Sequence, residues 1–224
     1  MDRAIRALSV GAVAMVAGGC TFASPIAGEP IATPLIEYQA PAGAQYVDRW
    51  LPTPAVDLMS ADGTFIRAFA EAATVAAFNV DKDAGSYPGY VRANRTREVA
   101  YDRNIRFHVR WIVSIESELD NWVVATVCSK GLIGPKDPER SGTPKRMKYH
   151  RSGTPPPTQQ QGIASAPRFS VFGGWYATYF SYGRPSYESD PLVVVDPTIP
   201  CPMPPGVTTE SSVATPGWPQ TQIY

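Results

Sequence analysis

The chain of 224 residues has no long apolar run, only three cysteines and two histidines, and no excess charge of either sign. Its longest uncharged apolar stretch, Ala7 to Ala17, falls well short of the ~20 residues that span a bilayer as a helix. No transmembrane helix is expected after it. With so few histidines, none at a ligand spacing from a cysteine, no metal set or cofactor is expected. Lys plus Arg and Asp plus Glu are both 20, so nothing draws the chain as a whole to nucleic acid, which is excluded as a partner. Gly-x-Ser-x-Gly and Ser-x-x-Lys motifs are also missing, which weakens a hydrolase reading. Hydrophobic residues at 44% argue against wholesale disorder and for one domain with appendages.

What the chain has in excess is proline, 23 residues, and their placement divides it. Residues 1–19 carry Arg3 and Arg6, the apolar run and Gly18-Gly19, the layout of an export signal. Ala17-Gly18-Gly19-Cys20 resembles the lipobox of bacterial lipoproteins, with Ala17 where the family more often has a larger aliphatic residue. The resemblance implies acylation of Cys20 and a protein held by lipid on the outer face of the cell membrane; the alternative is plain cleavage near Ala23-Ser24. Either way the chain is expected outside the cytoplasm, where Cys128 and Cys201 are expected to form a disulfide. Residues 20–53 read as a Pro-rich spacer, 54–184 as the folded domain with a loop insertion at 134–167, and 185–224 as a Pro-rich tail stapled by the disulfide. Within that tail, Leu192 to Val195 is a short strand candidate.

Inside the domain, Phe65, Phe69, Ala73, Ala76 and Val80 recur at helical spacing, with Asp62 or Thr64 as cap and Asp81 to Gly85 as stop. A short helical piece with Val91 and Ala93 should follow the Tyr87 to Tyr90 turn. From Asn104 the period becomes two: Ile105, Phe107, Val109, Trp111, Val113 and Ile115 share a face opposite Arg106, His108, Arg110, Ser114 and Glu116. A turn over Ser117 to Asn121 leads to a returning strand over Trp122 to Cys128, and Phe169 to Tyr182 supplies a third. This is an α+β pattern, an N-terminal helix packed on a curved antiparallel sheet. The order of helix then bent sheet resembles the NTF2-like cone, which implies a pocket between them. The wording from Asp62 to Glu71 and Tyr87-Pro88-Gly89-Tyr90 also resembles actinobacterial, mycobacterium-like exported lipoproteins of unknown function.

A pocket in such a cone would draw on Arg106, His108, Arg110, Trp111, Trp175 and Tyr179, able to hold an anion or stack on a lipid or glycan. Lys145, Arg146, Lys148 and Arg151, beside His150, form a basic cluster suited to anionic headgroups. Asp81-x-Asp83-x-Gly85 lacks the ligands of a calcium loop. The expected function is a non-enzymatic envelope lipoprotein that binds a partner protein or an envelope ligand. The alternatives are an enzyme with its pocket around His108, and a structural or phage-exclusion protein of the envelope.

Overall fold

The structure is a computed structural model that describes residues 38, 47–78, 86–96, 107–131, 142–181, 199–204 and 214–220. The chain divides into Met1–Ile36 and Glu37–Tyr224, and every described residue lies in the second unit. Cys20, Arg106, the Asp81 to Gly85 segment and the strand candidate at Leu192 to Val195 lie outside the described residues. No described helix is long and apolar enough to cross a membrane.

The fold is α+β. Strand β1 (Val47–Leu51) precedes helix α1 (Ala61–Phe78) and the short helix α2 (Tyr90–Ala93). Four strands follow: β2 (Phe107–Ser117), β3 (Trp122–Gly131), β4 (Thr143–His150) and β5 (Tyr176–Ser181). They form one five-stranded sheet in the order β1-β2-β3-β4-β5. The sheet is mixed, because β1 runs parallel to β2 while the other pairs are antiparallel. The antiparallel sheet expected from the sequence is thus corrected to a mixed one, and two further expectations change. The end of the supposed spacer is a strand, so the folded unit starts before residue 54, with a strand and not with the helix. Within the supposed loop insertion of 134–167, residues 143–150 are the fourth strand, with Met147 and Tyr149 fully buried.

Helix α1 forms where its apolar spacing places it, but the cap is Ser60, whose Oγ accepts the Gly63 N–H at 3.1 Å. Asp62 is engaged elsewhere, accepting from Tyr149 Oη at 2.5 Å and from both ends of the Arg151 fork at 2.9 and 3.0 Å. Between β2 and β3, Asp120 and Asn121 take positive φ of 55° and 61°, the backbone that a tight hairpin turn requires and that Asp and Asn tolerate.

Upstream of a bulge, helix α1 covers the face of β2 opposite to the one the alternation implied; downstream of it, Ile115 lies on the helix side as expected. The pairing of β2 with β3 slips between Ile112 and Ser114, a bulge at Val113. Upstream of it, Arg110 and Ile112 share a face with Ser129 and Val127; downstream, Ile115 joins that same face opposite Ala125. Phe65 and Phe69 of α1 pack onto this face, their ring centroids 4.9 Å from Tyr149 and 5.7 Å from Phe180. Val109 and Trp111 point the other way, into a small second cluster with Leu51 and the disulfide. Cys128 and Cys201 are bonded there, with Cα atoms 5.7 Å apart and 73 positions between them. The outer side of β1 bridges to Thr215, and the outer side of β5 bridges to Asn94.

Gly63 shows how tightly the N-terminus of α1 is seated. A Cβ there would lie 2.3 Å from the Asp57 carbonyl oxygen and 2.6 Å from the Leu58 Cα, both backbone atoms. Alanine in a helix interior is ordinarily worth about 1 kcal/mol over glycine. Here the clash outweighs that gain, and Gly63→Ala should destabilise by roughly 1–3 kcal/mol in denaturant unfolding. A midpoint that stays put or rises would mean that the turn at 57–58 yields.

Candidate functional site

The residues singled out in the sequence do not converge on one pocket. His108 and Arg110 face α1, Trp111 faces the disulfide on the other side of the sheet, and Tyr179 lies beside Lys148 on that other side. Trp175 is core, stacked on Tyr149 with centroids 5.9 Å apart. The basic cluster is also dispersed. Lys145 is 3% exposed and faces α1, its Nζ 4.9 Å above the Phe180 ring, whereas Lys148 points the opposite way to Glu118 at 3.3 Å. Arg146 is half-buried on the face of Lys148, and Arg151 is held by Asp62. These cations are wound into the sheet, so they present no joint surface to a headgroup layer. His150 packs between Trp122 and Tyr176, at 4.7 and 5.4 Å.

What the fold assembles instead is a buried polar ladder on α1. Arg67, Glu71 and Thr74, spaced four and three apart, lie on one face of the helix and are all buried. At the upper rung, Arg110 reaches across from β2: Nη2 donates to Thr74 Oγ1 at 2.7 Å and Nε to Asp48 Oδ1 at 2.5 Å. His108 Nδ1 stands 3.7 Å from the same carboxylate oxygen. Burial pushes the Asp48 carboxyl upward, against the pull of Arg110 and then Lys145. Burial also holds His108 well below its ordinary range, and the Arg110 and Lys145 cations add to this. A neutral, 3% exposed imidazole hemmed in by cations is a poor proton acceptor.

The lower rungs are Arg67 and Glu71. Glu71 Oε1 accepts the Trp50 indole N–H at 2.7 Å, and Oε2 accepts Tyr87 Oη at 2.8 Å and the Trp218 indole N–H at 2.7 Å. Arg67 donates through Nη2 to the Gln160 carbonyl at 2.6 Å and through Nη1 to the Pro216 carbonyl at 3.3 Å, with its guanidinium 4.5 Å from the Trp218 ring centroid. Nothing in the chain's apolar periodicity pointed to this pair. The only signal was two opposite charges one turn apart inside an otherwise apolar helix.

Beyond this ladder the protein opens a groove of about 680 Å³ lined by residues 154–160, 167–171, Gly173 and Pro219. That size lies in the ~300–1,000 Å³ range of small-molecule sites. Pro155, Pro156, Pro157, Phe169 and Val171 supply apolar wall, and Gln159, Ser170 and Thr158 supply neutral polar groups. Among the described lining residues Arg168 is the one ionisable side chain. The wall is stiff for local reasons. Three successive prolines fix φ, the Gln159 N–H bonds the Met59 carbonyl at 2.8 Å, and the Gly174 N–H bonds the Thr154 carbonyl at 2.6 Å. Gly173, at φ 56°, sits where a Cβ would strike the Thr154 carbonyl, so only glycine lets the two walls meet.

The Asp48–Arg110 pair lends itself to a stability test, because both side chains are buried and removing one leaves the other's charge without its counter-ion. Asp48→Ala should cost about 3–5 kcal/mol in urea unfolding, and the double variant Asp48→Leu with Arg110→Met should recover most of that loss. An Asp48→Ala protein as stable as the parent would show that water reaches Arg110.

No family model, no curated protein and no solved structure matches this chain.

Proposed function

We propose that the protein is an exported, lipid-anchored component of the cell envelope that acts by binding and not by catalysis, and that the groove lined by 154–160 and 167–171 is its binding site. The observation that carries this reading is the groove's lining: an apolar, proline-stiffened wall with neutral polar groups, suited to gripping an extended, largely uncharged envelope molecule such as an acyl chain or a glycan. Neither described histidine belongs to that lining. The lipobox-like Ala17 to Cys20 supports the anchor, and the bonded Cys128 and Cys201 are in keeping with an oxidising compartment. The enzyme reading around His108 draws no support from an imidazole packed under α1. A helix lying across one face of a bulged sheet supports an NTF2-like cone. In that cone, Phe65, Phe69 and the ionic ladder fill the space between helix and sheet, so the ligand site moves to the loops.

Amide chemical shifts of the protein, recorded against short-chain phospholipids, fatty acids and neutral oligosaccharides, test the site. Perturbations should cluster at Gln159, Phe169 and Val171, and Phe169→Ala should weaken binding roughly tenfold, about 1.4 kcal/mol. Shifts scattered over the surface, or none with any class, would overturn the groove reading. In cell fractionation, Cys20→Ala should leave the membrane pellet; mutant protein retained there after a high-salt wash would overturn the anchor.

A further inference from the structure

Exposure alternates along one wall of the groove. Pro167 and Val171 are buried and Phe169 is half-buried, while Arg168 and Ser170 between them are exposed, so the apolar side chains form a floor and the polar ones a rim. On the other wall Pro156 is buried and Pro157 half-buried, and they extend the same floor.

The polar groups of that second wall are engaged within the protein. The Gln160 side-chain amide donates to the Thr158 carbonyl at 3.0 Å, and the Gln160 carbonyl accepts from Arg67 at 2.6 Å. The Gln159 N–H donates to the Met59 carbonyl at 2.8 Å, the Gln159 carbonyl accepts the Gln161 N–H at 3.0 Å, and the Thr154 carbonyl accepts the Gly174 N–H at 2.6 Å. A glycan carries a hydroxyl on most of its carbons and needs a partner for each one it buries. A hydrocarbon chain needs none, and proline rings held at fixed φ lose little freedom in receiving it.

The rim supplies the charge. Arg168 is the one ionisable side chain among the described lining residues, and none of them is acidic. Arg92 of α2 reaches the Gly173 carbonyl but does not itself line the groove. A single guanidinium matches a single carboxylate, through two parallel N–H···O bonds. A phosphate monoester carries about −1.5 to −2 at pH 7, more than one Arg neutralises. A zwitterionic headgroup brings a cation for which the described lining holds no anion.

Resting on the reading of this groove as the binding site, we propose that its ligand is a fatty acid: the hydrocarbon tail lies on Pro156, Pro157, Phe169 and Val171, and Arg168 at the rim binds the carboxylate. Arg168 is then the residue that selects an acid over a neutral or doubly charged amphiphile with the same tail.

Titrations of the protein with decanoate, decanol, decyl phosphate and maltotriose test this, each at pH 8 and below micellar concentration, read from amide shifts at Phe169 and Val171. Decanoate should move both amides and bind more tightly than decyl phosphate. Arg168→Gln should weaken decanoate about fivefold, the upper end for an exposed ion pair, and leave decanol unchanged. Because Arg168 is exposed, the substitution spares the core. An unchanged decanoate affinity in that variant, or an equal loss for decanoate and decanol, would overturn the fatty-acid assignment and leave the groove reading standing. Tighter binding of decyl phosphate, or shifts with maltotriose alone, would do the same. No shift at Phe169 or Val171 with any of the four would overturn the groove reading and the assignment together.

Discussion

The placement of two opposite charges inside an apolar helix governs the arrangement around α1. A buried ion that lacks partners costs several kcal/mol, so Arg67 and Glu71 tolerate only those arrangements that bring donors and acceptors to them. Those partners are five residues from four places far apart in sequence: Trp50, Tyr87, Gln160, and Pro216 with Trp218. Apolar packing would accept many loop positions over the helix. Directional hydrogen bonds to one carboxylate and one guanidinium accept few, and this gives a proline-rich chain a defined path where regular structure is scarce.

The sheet follows from a second constraint, the phase of β2. One extra residue at Val113 reverses which side chains face inward, and as a result one strand presents apolar groups to two separate cores. The helix covers Ile112 and Ile115, and the disulfide covers Val109 and Trp111. With both faces covered there, the stretch of β2 that bears His108 and Arg110, residues 108–112, lies inside the protein, while the strand's far end at Glu116 and Ser117 is exposed.

The helix, the hairpin and β5 were legible because their apolar residues repeat at the period of their backbone and end at turn-forming residues. Strand β4 was not, because its inward and outward positions are occupied by Lys145, Arg146 and Lys148, which a reading by polarity assigns to solvent. Long basic side chains can bury their stems and reach one carboxylate or one aromatic ring, as Lys148 does with Glu118 and Lys145 with Phe180. The strand β1 was hidden by the prolines around it; a pairing strand needs only five residues free of them. The face of β2 was misassigned because a bulge leaves no mark on a pattern of alternating residues. The groove lay within segments that their proline content assigned to loop. That composition predicts irregular backbone correctly, but it does not distinguish a loose loop from one locked by backbone bonds such as Gln159 to Met59.

Both outer strands of the sheet are bridged at one position by the chain's own backbone, Thr215 against Arg49 of β1 and Asn94 against Ala177 of β5. An open strand edge is a template on which neighbouring molecules add strands. A stretch of the chain's own backbone seated on such an edge occupies bonding positions that a neighbouring copy would otherwise use. The protection is unequal. At β5 it comes from the middle of the chain, but at β1 it depends on residues near the C-terminal end. Proteolytic trimming upstream of Thr215 would therefore bare the β1 edge and at the same stroke remove the partners that Pro216 and Trp218 give to Arg67 and Glu71.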